Sequence, residues 1–115
     1  MSSATIAMIE HLTERRAGFE QRIQKIRREI VDGMATGATS EDAHELTGAW
    51  VELDARFSVV SSAIILVRAG MLPGALVEHL ASAYQVDGTE AADRRRLGFL
   101  RELDELRRLL VRDDG

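Results

Sequence analysis

Three histidines stand close to a carboxylate: His11 follows Glu10, His79 follows Glu78, and Glu41 precedes His44 by three positions. Only the last pair has the Glu-x-x-His spacing that supplies ligands in carboxylate-bridged di-metal bundles. Such a centre needs a second motif and further inward glutamates, and the sequence offers no second motif. Glu41 and His44 therefore read as a solvated first helical turn, where the helix dipole favours an acid, and no metal or cofactor is expected. Ser61 and Ser62 have no histidine near them in sequence and no strand-turn-helix elbow around them, so they read as packing residues bonded back to their helix. The absence of cysteine removes thiol nucleophiles and cysteine-built zinc sites, and gives no reason to invoke an oxidising compartment. Gly70, Gly74 and Gly88 lack phosphate-loop spacing. These residues together predict a protein that is not an enzyme.

The other chemistry is cationic. Of 15 basic residues only Lys25 is a lysine, and arginine binds phosphate through a planar two-pronged fork. The candidates for anion binding are Arg15, Arg16, Arg27 and Arg28 in the first segment and Arg94, Arg95 and Arg96 in the last. Brought together by assembly, they would suit an oligomer that holds or sequesters an anionic nucleotide or phosphorylated metabolite. Arg94 to Arg96 follow LVEHLASAYQVDGTEAAD, so the 76–100 region resembles a helix-turn-helix layout: a short helix, a turn containing Gly, and a helix with cations on one side. That resemblance implies a DNA-binding regulator. Glu90 and Asp93 offset much of the charge, and a formal net charge of −4 argues against affinity for nucleic acid or anionic membrane spread over the whole surface.

The elements that must carry these groups are helical. One proline, few aromatics and long runs of Ala, Leu, Glu and Arg predict an all-α chain. At 115 residues with 45% apolar content, a single helical domain over 1–115 is expected. Helices are predicted over about 3–31, 40–69, 73–85 and 88–112. Ser2 or Ser3 would cap the first, Thr39 or Ser40 the second, Pro73 would open the third, and Asp87 with Glu90 would cap the fourth. Ile9, Leu12, Phe19, Ile23, Ile26 and Ile30 keep a heptad seam in which Arg16 fills the missing place. Leu46, Trp50, Leu53, Phe57, Val60, Ile64, Val67 and Met71 repeat the rule, so the two helices should form an antiparallel, coiled-coil-like hairpin pivoting near Gly37. A C-terminal helix with Phe99, Leu103, Leu106 and Leu110 would return along it, giving a three- to four-helix bundle.

No charge interrupts FSVVSSAIILV, from Phe57 to Val67. The run is too short to span a bilayer, and Arg56 and Arg68 bracket it. The opening MSSATIAMIEHLTERR carries no pattern of a secretory signal, so a cytoplasmic protein without membrane partners is expected. Val59, Ala63 and Leu66 add a second apolar face to the seam, and a helix apolar all round must be surrounded. Trp50, Phe57, Val59, Val60, Ala63, Ile64 and Leu66 are thus expected at the core or at an interface between copies. The function these features predict is a non-catalytic oligomerisation and binding module acting through protein–protein assembly.

Overall fold

A computed structural model describes residues 3–37, 39–83 and 90–114, and these form four helices: α1 (Ser3–Thr36), α2 (Ser40–Arg68), α3 (Pro73–Ala83) and α4 (Glu90–Asp114). The arrangement is an all-α bundle built on a long hairpin. α1 passes the expected stop at Val31 because Gly33 is tolerated within the helix. The chain turns only at Gly37, whose φ of 78° is accessible to glycine without a side-chain penalty. Thr39 then caps α2, its hydroxyl accepting the Asp42 N–H at 3.2 Å. At the other end the Met71 N–H donates to the Leu66 carbonyl and the Gly70 N–H to that of Val67. With Gly70 at φ 100°, this is a Schellman closure, and it ends α2 at Arg68. Pro73 opens α3 at its first position. The predicted end of α3 at Gln85 and the Asp87–Glu90 cap of α4 lie outside the described residues.

α2 is the central element, packed mainly against α1 and α4 and more briefly against α3. The Arg56 guanidinium sits 5.0 Å from the Phe19 ring centroid, which sets Phe19 of α1 beside Arg56 of α2 and fits a pivot near Gly37. α4 runs parallel to α2: Arg94 meets Gly48, Gly98 meets Glu52 and Ala55, and Glu102 meets Arg56. The resulting body measures 52 × 29 × 24 Å, its long axis matching the roughly 50 Å expected of a 34-residue helix at 1.5 Å rise.

The uncharged run is explained by this surround. Val59, Val60, Ala63, Ile64 and Val67 are buried together with Met8 and Leu12 of α1, Leu76, Val77 and Leu80 of α3, and Phe99, Leu103 and Leu106 of α4. The single chain thus covers both apolar faces of α2 without a second subunit, and within the run only Ile65, 67% exposed, is left open. Phe57 and Leu66 are half-buried against the same core. Full burial of a Val, Ile, Leu or Phe side chain contributes about 1.5–3 kcal/mol. Close approach is made at Gly98, where the backbone of α4 lies against the Glu52 carbonyl. Ser62 has a bonding partner, but the Ser61 hydroxyl is buried without one, contrary to the expected bond back to its helix. Among the described residues no helix is long and apolar enough to cross a membrane.

Candidate functional site

Among the described residues the buried charged side chain is Glu102, fully enclosed on the inner side of α4. It lies between Phe99 and Leu106 on the apolar stripe, so seating that stripe on α2 carries the carboxylate inside. Arg15 of α1 reaches it with two bonds, Nε donating to Oε2 at 2.9 Å and Nη2 to Oε1 at 2.7 Å. Arg56 of α2 donates from Nε to Oε1 at 3.2 Å. The bonds to Glu102 raise the Arg15 pKa above its ordinary value against the opposing effect of burial, with the charges of Glu102 and Glu105 adding to the rise. Three helices are thereby fixed to one carboxylate. A misaligned α4 would leave that charge buried and unpaired, which is strongly unfavourable.

Around this network the cations collect on one ring. The guanidinium carbons of Arg15, Arg22 and Arg56 lie 5.3, 5.9 and 5.0 Å from the centroid of Phe19, within the range of cation–π attraction. Glu105 belongs to the same neighbourhood but is held by Arg108 at 2.9 Å.

Of the arginines singled out in the sequence, Arg15 enters this cluster and the others do not. Arg16, which occupies the vacant heptad place, is half-buried, yet it is its neighbour Arg15 that turns toward α4. Arg27 and Arg28 are exposed farther along α1. Arg94 packs over Gly48 and faces Glu52 at 3.9 Å, and Arg101 pairs with the same Glu52. Arg95 and Arg96 are exposed. Arg22, Arg56 and Glu102 were not among the sequence candidates. Their available signal was position: Arg56 and Glu102 each interrupt an apolar stripe, and Arg22 stands one turn after Phe19.

His11, His44 and His79 are exposed, as are Glu10, Glu41 and Glu78. Among the described residues no group of three or more His, Cys, Asp or Glu side chains is placed to hold a metal ion.

The second notable surface is the distal half of the hairpin. Toward the closed core, the seam residues Leu12, Val60, Ile64 and Val67 are buried. Toward the turn, Ile23, Ile26, Ile30 and Leu46 are only half-buried, while Trp50, Val31 and Met34 are 37%, 64% and 78% exposed. Trp50 is therefore not a core anchor of the single chain.

Fold and surface define a class, a helical bundle with a buried ion network and an open hairpin end. No protein-family model matches the chain, and no curated protein or solved structure matches it at a significant level.

Proposed function

We propose that the protein is a non-catalytic helical assembly module that docks through the distal half of the α1–α2 hairpin, with a second copy of the chain as its partner. The observation that carries this reading is the half-open heptad seam beside exposed Val31, Met34 and Trp50. A heptad seam is suited to receiving further helices by knobs-into-holes packing. Charge supports a copy as the occupant. Distal α1 carries Lys25, Arg27 and Arg28 against Glu29 and Asp32, a net positive charge, and the start of α2 carries Glu41, Asp42 and Glu45. A two-fold arrangement presents the same patch on both partners and needs a surface complementary to itself. Basic α1 facing acidic α2 of the other copy meets that need.

Trp50→Glu and Met34→Glu test the proposal, since both side chains are substantially exposed and neither change opens the core. Light scattering on a sizing column should show the oligomer of the wild-type protein reduced to single chains, with helical circular dichroism unchanged. A wild-type protein that elutes as single chains, or variants that keep the wild-type mass, would overturn it.

A further inference from the structure

A cleft of about 340 Å³ opens between the hairpin and α4, lined by Arg15, Gly18, Phe19, Arg22, Arg56 and Glu105. We infer that this cleft is a binding site for the phosphate group of a small molecule, with Arg22 and Arg56 as its principal ligands. The inference is independent of the assembly proposal.

Three guanidinium groups crowd one aromatic ring, and the buried carboxylate of Glu102 accepts from only two of them. Arg15 spends two nitrogens on it, whereas Arg56 donates only through Nε. Arg22 has no acidic partner among the described residues. The one carboxylate in the lining, Glu105, is bonded to Arg108, so three guanidinium groups face the two carboxylates of Glu102 and Glu105. Positive charge is therefore in excess where the cleft opens, and like charges this close favour an added anion.

The site is also built rather than merely exposed. Glu102 fixes Arg15 and Arg56, and Phe19, itself 4% exposed, is a floor on which the guanidinium groups rest. Gly18 contributes the space: a Cβ built there meets nothing within 4 Å. Because the ring is buried beneath the cations, it offers no face to a nucleobase, and recognition falls on the anionic group. Guanidinium forks match phosphate oxygens two at a time, which selects phosphate over chloride.

The test uses inorganic phosphate, titrated at constant ionic strength into the full chain, with the arginine Nε–H signals followed by NMR. Saturable shifts are expected at Arg22 and Arg56, with none at Arg68, which is exposed at the end of α2. Arg22→Gln should weaken binding about tenfold, the loss of one charge-assisted contact, while circular dichroism stays that of the wild type. Arg22→Lys should recover part of the affinity. Shifts that never saturate, that appear equally at Arg68, or that survive Arg22→Gln with unchanged affinity would overturn the assignment.

Discussion

Replacing Gly98 by alanine tests how α4 is seated. Alanine is a better helix former than glycine by about 1 kcal/mol, so on propensity alone Gly98→Ala should stabilise the protein. The added Cβ, however, would lie 2.4 Å from the Glu52 carbonyl oxygen and 2.9 Å from the Ala55 Cβ. An ordinary carbon–oxygen contact is about 3.3 Å, so α4 must withdraw by nearly an ångström from a backbone atom that cannot rotate away. That movement loosens Phe99, Leu103 and Leu106 from the core. Overpacking of this severity costs about 3 kcal/mol, leaving a net loss of about 2 kcal/mol. At Gly18, where a Cβ meets nothing, the same substitution should instead give the full propensity gain of about 1 kcal/mol. With roughly 4 °C per kcal/mol for a chain of this size, the two variants should melt on opposite sides of the wild-type protein. Urea denaturation followed by far-ultraviolet circular dichroism reads both. A Gly98→Ala protein as stable as the wild type would refute the parallel seating of α4 on α2.

Three further substitutions follow from the same geometry. Glu102→Ala should cost about 2–4 kcal/mol in urea melts, because it strips Arg15 and Arg56 of their shared acceptor; a neutral effect would mean that the network contributes nothing to folding. Ser61→Ala should stabilise by about 1 kcal/mol by removing a buried hydroxyl that has no partner, and a drop in melting temperature would count against that reading. Thr39→Ala should cost about 1 kcal/mol through loss of the cap on Asp42, and hydrogen exchange should accelerate in the first turn of α2; unchanged exchange there would show that the cap is not formed.

The helices and the hairpin were legible because their determinants are local. Heptad spacing, Thr39, Pro73 and Gly70 each act within a turn or two of the helix they define. The end of α1 was misread because Gly33 looks like a breaker, whereas its cost of about 1 kcal/mol is small for a helix held by a long packed face. The direction of α4 was not legible, since it depends on Gly98 and Ala55 coming together from separate helices. The ion network was hidden for the same reason: Glu102 lies 87 residues from Arg15 and 46 from Arg56 in sequence. Composition pointed to runs such as Arg94 to Arg96, but of the arginines that converge only Arg15 belongs to a run, and Arg22 and Arg56, isolated in sequence, are brought to it by packing.

Native mass spectrometry of the wild-type chain, repeated over a range of concentrations, tests the assembly proposal most directly. The account predicts a species of twice the 12.7 kDa chain mass that dissociates on dilution and is absent from Trp50→Glu. A spectrum holding only the single chain at every concentration would contradict it.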